Sequence, residues 1–318
     1  MNVLVTGGAG YIGAHVVRLL RERGESPVVV DDLSAGVRSR IGDATFVQLD
    51  LLSDDAAARL AEVLREHSVT SVIHFAALKA AGESVQQPVR YYRHNVGALV
   101  TVLEAMRSSD ARGLVFSSSA AVYGDAALPL TEEAAPRPIN PYGETKLVGE
   151  WLVAAAAHAH ALSATSLRYF NVAGAGTPEL GDTSANNLIP MAIERIAAGE
   201  APRIFGDDYN TPDGTCIRDY IHVLDIAEAH LAALDDLTAG HRVYNVGTGV
   251  GSSVREILDL LIEASGAEFD PELTARRPGD PDVVVATVDR IRDELGWSAR
   301  LTTRDAVESA WAAHLARR

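Results

Sequence analysis

Cysteine and lysine are scarce in this 318-residue sequence, and long apolar runs are absent. The single cysteine, Cys216, excludes an internal disulfide and any metal cluster held by several cysteines. No histidine pair has the spacing of a zinc-binding helix motif, so no metal site is expected. No run approaches the roughly 18 apolar residues of a membrane-spanning helix. With no basic leader before the first strand-like run, the expected location is the cytoplasm.

Charge narrows the range of partners. The net charge is −15, which disfavours nucleic acid and anionic membrane surfaces as partners. Of the 28 basic residues, only Lys79 and Lys146 are lysines. Because arginine does not replace a compact ammonium, a lysine in such a background indicates a specific need for one.

A glycine-rich turn near the start predicts a dinucleotide site. Gly7, Gly10 and Gly13 lie between a strand-like run and a helical run. Small residues there let the backbone approach a pyrophosphate, and a helix N-terminus favours its negative charge. The next strand-like run ends in Asp31 and Asp32, which are expected to hold the adenosine ribose and to favour NAD over NADP.

Strand-like and helical runs alternate along the chain, which predicts an α/β fold with a doubly wound parallel Rossmann sheet. From residue 172 the pattern is less regular, and polar stretches at 172–187 and 206–219 indicate long functional loops. We expect an NAD-binding domain over 1–171, with the chain returning to the sheet near 225–247. A smaller C-terminal α/β domain over 172–318 is expected to bind the substrate.

Two further strand ends are candidates for cofactor contacts. Asp50 and Leu51 follow the third strand, where an aspartate can contact adenine or simply cap a turn. Phe75, Ala76 and Ala77 follow the fourth strand, and ligands of such sheets bind outside the carboxyl ends of the strands.

The strongest chemical signal is Tyr142 with Lys146. Four residues apart on a helix, the two side chains share one face. A nearby cation stabilises a phenolate, so the pair predicts a lowered Tyr142 pKa and a tyrosine that acts as a base near neutral pH. The alternative is a surface tyrosine beside a surface lysine.

Several motifs together resemble the extended short-chain dehydrogenase/reductase family, and within it the UDP-glucose 4-epimerases. The resemblance runs nearly end to end. It rests on eight stretches: Thr6–Gly13, His74–Lys79, Gly82–Val85, Ser117–Gly124, Pro141–Lys146, Leu167–Asn171, Asp213–Val223 and Arg277–Asp280.

The resemblance implies NAD-dependent interconversion of UDP-galactose and UDP-glucose. In that reaction C4 is transiently oxidised to a 4-keto sugar, which rotates and is reduced on its other face. The implied catalytic residues are Ser119, Tyr142 and Lys146. The implied cofactor residues are those above together with Tyr11, Ile12, Lys79, Asn95, Ser117 and Tyr169. The implied substrate residues are Ser119, Tyr142, Asn171, Asn187, Leu188, Phe205, Arg218, Arg277, Asp280 and Val284.

Alternatives remain open at single positions and for the reaction. Lys79 could be an exposed loop residue, and Asn95 a plain polar helix residue.

Related dehydratases carry an Asp-Glu pair where this chain has Ala120 and Ala121, so dehydration is disfavoured. Val284 stands where the family has a large tyrosine that restricts the pocket, which suggests activity on UDP-N-acetylhexosamines. The alternative is that another loop closes the space. Two other functions are possible. The protein could epimerise a UDP-uronic acid or a UDP-pentose, or it could be a non-catalytic regulator that binds NAD. Relatives imply a homodimer that pairs the helices near 88–107 and 142–161.

Overall fold

A seven-stranded parallel sheet is the centre of this computed structural model, which describes residues 2–126, 128–184, 187–277 and 279–317. The strands, in chain order, are β1 (Val3–Thr6), β2 (Val28–Asp31), β3 (Thr45–Gln48), β4 (Ser71–His74), β5 (Gly113–Ser117), β6 (Ser163–Tyr169), β7 (Asn171–Ala173), β8 (Arg203–Phe205), β9 (Ile217–Arg218), β10 (Tyr220–His222), β11 (Gly240–Val246), β12 (Ser252–Ser253), β13 (Glu272–Thr274) and β14 (Val283–Val284). The central sheet has the order β11-β6-β5-β4-β1-β2-β3.

Helices cover both faces of this sheet. They are α1 (Tyr11–Glu22), α2 (Ala56–Glu66), α3 (Ala81–Gln86), α4 (Pro88–Tyr91), α5 (Gly97–Arg107), α6 (Pro141–His160), α7 (Leu188–Ala197), α8 (Val223–Asp235), α9 (Val254–Ser265), α10 (Asp289–Leu295) and α11 (Thr303–Leu315). One core cluster joins the sheet to α2, α5 and α6, and another joins it to α1, α8 and α10. The predicted doubly wound α/β fold is therefore confirmed.

Two inner strands of this sheet, β1 and β2, have sequences that are almost wholly apolar. β1 reads Val-Leu-Val-Thr and β2 reads Val-Val-Val-Asp, and all eight residues are buried. Such runs suit parallel strands covered on both faces. Strand β11 pairs with β6 through seven residues at the sheet edge, so the chain does return to the sheet after residue 172.

Differences from the sequence-based expectations are local. The helix expected over 88–107 is divided by a π-helical turn, Tyr92–Val96, between α4 and α5. The loops expected after residue 172 contain short strands, and three small sheets (β7 with β10, β8 with β13, and β12-β9-β14) result. Strands of two or three residues are too short to show a period in sequence. Pro278, in the Arg277–Asp280 motif, lies outside the described residues.

No helix among the described residues is both long and apolar enough to cross a bilayer. The smaller part of the molecule has its own core, formed mainly by α7, α9 and α11. A cavity of about 910 Å³ lies between residues of the sheet's carboxyl edge and residues of this smaller part.

Candidate active site

The glycine turn after β1 is packed tightly against the loop after β4. Gly7 has a φ of +67°, which favours glycine, and a Cβ there would lie 2.8 Å from the Ala76 nitrogen. A Cβ on Gly13 would lie 2.8 Å from the Gly8 Cα, and one on Gly10 3.1 Å from the Gly7 oxygen. Cβ atoms on Gly7 and Gly13 would collide with backbone, so the turn keeps its close approach to α1 and to the loop after β4 only with glycine at these two positions.

The acidic residues at the ends of β2 and β3 accept hydrogen bonds from nearby backbone N–H groups. The Asp31 carboxylate accepts hydrogen bonds from Ala9 N (3.0 Å) and Leu33 N (2.8 Å). Burial raises the Asp31 pKa, and these two hydrogen bonds lower it. Asp32 accepts from Ser34, and Asp50 accepts from Leu52 N at 2.8 Å. Asp50 therefore has the turn-capping role that was the alternative, and its contact with adenine stays a prediction.

The loop after β4 carries Lys79 to the mouth of the cavity. The Lys79 ammonium lies 3.5 Å from an Asp182 carboxylate oxygen and 5.8 Å from the Tyr11 ring centroid. Asn95 sits behind this loop, where it exchanges two hydrogen bonds with the Leu78 backbone and donates a third to Thr145. Its amide is thus occupied by protein groups, which favours the structural alternative for Asn95 over a direct cofactor contact.

Tyr142, Lys146 and the serines after β5 come together as expected. Asn140 caps the N-terminus of α6 by accepting from Gly143 N at 2.9 Å. The Lys146 ammonium donates to the Ser117 carbonyl oxygen at 2.7 Å and lies 5.9 Å from the Tyr142 ring centroid. Ser119 hydrogen-bonds the Tyr142 hydroxyl. The Ser117 hydroxyl pairs with the Tyr169 hydroxyl, so Tyr169, a predicted cofactor residue, is part of the same cluster.

The electrostatics of Tyr142 correct one expectation. With protein groups alone, burial raises the Tyr142 pKa, and the Ser119 hydrogen bond only partly offsets the rise. The prediction that Lys146 lowers the Tyr142 pKa was wrong for the protein groups alone. Residue spacing does not reveal the energetic cost of burying a phenolate, which raises this pKa. Burial also lowers the Lys146 pKa to about 8.

The far wall of the cavity carries the predicted cations. Arg218 donates to Asp280 at 2.5 Å, and Tyr209 donates to the same carboxylate at 3.2 Å. The Arg277 guanidinium lies over the Phe205 ring, 4.1 Å from its centroid. Two guanidinium groups and an aromatic face thus line the same cavity as a phenol and a serine.

Thirteen of the 27 predicted site residues line this one cavity, among them nine of the ten predicted substrate residues. Those at its surface are Tyr11, Ile12, Lys79, Ser119, Tyr142, Tyr169, Asn171, Asn187, Leu188, Phe205, Arg218, Arg277 and Asp280. Others lie outside its lining. They are Gly7, Gly10, Gly13, Asp31, Asp32, Asp50, Leu51, Phe75, Ala76, Ala77, Asn95, Ser117, Lys146 and Val284. Val284 packs against a cluster that includes Phe170, which does line the cavity.

The comparisons with known proteins agree with this geometry. A family model described as NAD-dependent epimerase/dehydratase matches residues 3–247. The chain belongs to that family. It is 42% identical to the UDP-glucose 4-epimerase of Corynebacterium glutamicum, over 98% of this chain and 95% of the relative. It is 47% identical to that of Azospirillum brasilense, over 93% of this chain and 86% of the relative.

Solved structures of the family have the same fold. The UDP-glucose 4-epimerase of Brucella ovis in complex with NAD superposes with a TM-score of 0.93, at 42% identity and 98% coverage of both chains. The enzyme of Bifidobacterium longum in complex with NAD⁺ and UDP gives 0.90, at 35% identity, over 99% of this chain and 98% of that one.

The sequence analysis missed a buried charge network beside the family's Tyr-x-x-x-Lys motif. Glu150 and Arg168 form an ion pair with side-chain exposures of only 4% and 6%. The available signal was position: Glu150 follows Lys146 by one helical turn, just as Lys146 follows Tyr142. The partner on β6 could not be inferred from local spacing.

Proposed function

We propose that this protein interconverts UDP-galactose and UDP-glucose with NAD as a retained cofactor. The observation that carries the proposal is the convergence of Ser119 and Tyr142 with Arg218, Arg277 and Asp280 on one cavity. Relatives at 41–47% identity that carry the name UDP-glucose 4-epimerase support it.

The chain offers a cradle that fits NAD. The glycine turn places backbone close to the N-terminus of α1, where a pyrophosphate is favoured. Asp31 ends β2 and Asp32 follows it, at a position where a carboxylate suits ribose hydroxyls and repels a 2′-phosphate. When bound, NAD⁺ supplies a two-electron acceptor for the C4 carbinol and a positive charge beside the phenol.

Tyr142 is the proposed base. It would take the proton from the sugar O4 during oxidation and return it after the sugar has turned over. Ser119, which already hydrogen-bonds Tyr142, would hold O4 and pass the proton. Lys146 donates to the Ser117 carbonyl and would hold the nicotinamide ribose, while the positive charge of bound NAD⁺ would favour the phenolate.

The opposite wall is the proposed diphosphate and nucleoside site. Arg218 and Arg277 would neutralise the diphosphate, for which forked guanidinium groups are well suited. Asp280 would accept from the uridine ribose, and Phe205 offers a flat apolar surface. Asn171, Asn187 and Leu188 would contact the sugar and its phosphates. In this arrangement residues 172–318 supply most of the UDP-sugar site, apart from β11 and α8, which belong to the sheet domain.

A second substrate class has one specific observation in its favour. Val284 is smaller than the tyrosine that the resemblance predicts there, and it packs against the cluster containing Phe170. A structural neighbour from Campylobacter jejuni, 36% identical with a TM-score of 0.86, is described as a UDP-Glc/GlcNAc 4-epimerase. Turnover of UDP-N-acetylhexosamines is therefore the alternative activity that we favour.

We also propose a homodimer, working in galactose metabolism in the cytoplasm. Val89, Tyr92 and Val100 near α4 and α5 and Trp151 on α6 are exposed, Val89 by 80% and Trp151 by 63%. Large apolar side chains on neighbouring helices are typical of an interface between copies. The chain has one cysteine and therefore no internal disulfide that would need an oxidising compartment, which is compatible with the cytoplasm.

The test is conversion of UDP-galactose to UDP-glucose by purified protein without added NAD. Tyr142→Phe should lower kcat by about 100- to 10,000-fold while NAD stays bound. The matched control is Tyr244→Phe, which removes a hydroxyl bound to Glu294 and should leave turnover nearly unchanged. An active Tyr142→Phe protein would overturn the mechanism. Absence of turnover in the unaltered protein, even with NAD supplied, would overturn the substrate assignment.

A further inference from the structure

Three consecutive serines at the end of β5 each contact α6, at positions one helical turn apart. Ser119 bonds Tyr142, and the Ser117 carbonyl accepts from Lys146. The Ser118 hydroxyl donates to Glu150 at 2.5 Å. Because Tyr142, Lys146 and Glu150 follow one another at four-residue spacing, they form a single face of the helix against one loop.

Glu150 is itself held from the other side. The Arg168 guanidinium on β6 donates to both carboxylate oxygens, at 2.9 and 2.6 Å. Arg168 also donates to the Tyr123 hydroxyl at 3.0 Å, and Tyr123 in turn donates to Asn245 at 2.6 Å. Tyr123 lies just after the short turn that begins at Ser119. The network therefore fixes the chain on both sides of Ser119.

We propose that Glu150 is a positioning residue of this site: it locks Ser118 to α6, so that Ser119 faces Tyr142, and its carboxylate balances the Lys146 ammonium. The inference deepens the proposed function, on which its catalytic part rests. A buried carboxylate with three hydrogen bonds is costly to maintain, and its replacement by apolar residues is often tolerated in cores that have no such task.

Charged and titratable groups surround Glu150 from several elements. They are Lys146 on α6, Arg168 on β6, His241 on β11, and Tyr123 and Glu132 in the segment after β5. Glu150 is the charged side chain that raises the pKa of Lys146, against the lowering by burial. Removal of its charge should therefore lower the Lys146 pKa further.

The scarcity of lysine makes this directly measurable. Protein labelled with ¹³C at the lysine ε-carbon has two signals, and Lys79→Arg identifies the one from Lys146. In Glu150→Gln, the titration midpoint of Lys146 in the purified holoprotein should fall by about 1 pH unit, as expected for the loss of one nearby opposite charge. Glu263→Gln, which breaks an exposed pair with Arg304, is the matched control and should leave the midpoint unchanged.

A second variant tests positioning without a change of charge. Ser118→Ala should lower kcat roughly 10- to 100-fold with the Lys146 midpoint unmoved, because Ser119 loses its register with Tyr142. If Glu150→Gln does not fold, Glu150→Gln/Arg168→Met removes both charges and leaves none buried unpaired, and the Lys146 midpoint should still fall.

An unmoved Lys146 midpoint in folded Glu150→Gln, or in the folded double variant, would overturn the charge-balancing role. Full kcat in Ser118→Ala would overturn the positioning role. The lysine titration does not depend on turnover, so it can fail or succeed independently of the proposed epimerase activity.

Discussion

Substitution of Gly13 by alanine should weaken the hold on NAD. The new Cβ would lie 2.8 Å from the Gly8 Cα, and closer still to the Gly7 carbonyl oxygen. Comfortable contacts between such atoms are about 3.5 Å or more, so α1 and the glycine turn must separate by roughly 1 Å. Both obstacles are backbone atoms, which cannot rotate away as a side chain can.

The cost of such overpacking is about 1–3 kcal/mol. The helix N-terminus and the turn jointly form the proposed pyrophosphate site. If the whole of this free-energy cost weakens binding there, NAD affinity falls about 5- to 150-fold. The assay is the NAD content of the purified protein, followed by equilibrium dialysis with labelled NAD on protein stripped of its cofactor.

Gly97→Ala is the control, because its Cβ meets only the tip of the Leu52 side chain, at 3.0 Å. It should retain NAD like the unaltered protein. Equal NAD retention by Gly13→Ala and Gly97→Ala would refute the reasoning from close approach.

Three further outcomes are expected. Arg168→Met leaves the buried Glu150 without its ion pair and should cost about 3–5 kcal/mol in urea unfolding. Arg304→Met breaks an exposed pair and should cost less than about 1 kcal/mol, so equal losses would contradict the account. Arg218→Lys should raise the KM for UDP-galactose roughly tenfold with little change in kcat, since the forked donor is lost; an unchanged KM would speak against a diphosphate contact. Burial lowers the His230 pKa to about 4, so the unfolded state binds more protons between pH 6.5 and about 4, and stability is lost as pH falls there. In thermal unfolding, the stability of His230→Phe relative to the unaltered protein should therefore rise as the pH is lowered over that range. A difference in stability that does not change with pH would contradict this.

Much of the site could be predicted from sequence because its signals are local. The glycine turn, the aspartates after β2 and the Tyr142–Lys146 spacing each depend on a few adjacent residues. Parallel strands then bring the loops that follow them to one edge of the sheet, so candidates far apart in the chain meet without a contact having to be predicted.

What sequence could not supply depends on burial and on pairs from distant strands. The direction of the Tyr142 pKa follows from its surroundings, which no spacing encodes. The Glu150–Arg168 pair joins α6 to β6. The hydrogen bonds between the Asn95 side chain and the Leu78 backbone can be predicted only when the position of the loop after β4 is known. The π-helical turn at Tyr92–Val96 has no distinctive residue pattern, and strands of two residues have no period.

The late arrival of β11 has a consequence for synthesis on the ribosome. While the chain is being made, β6 is the outer strand of an unfinished sheet, with backbone groups that have no neighbour. That edge can be covered by its native partner only after residue 246 has emerged, by which time α7, which belongs to the smaller part of the molecule, has also been made. The central sheet therefore cannot be completed before synthesis of the smaller part has begun, and a nascent chain stalled between β6 and β11 would expose a strand able to pair with other chains.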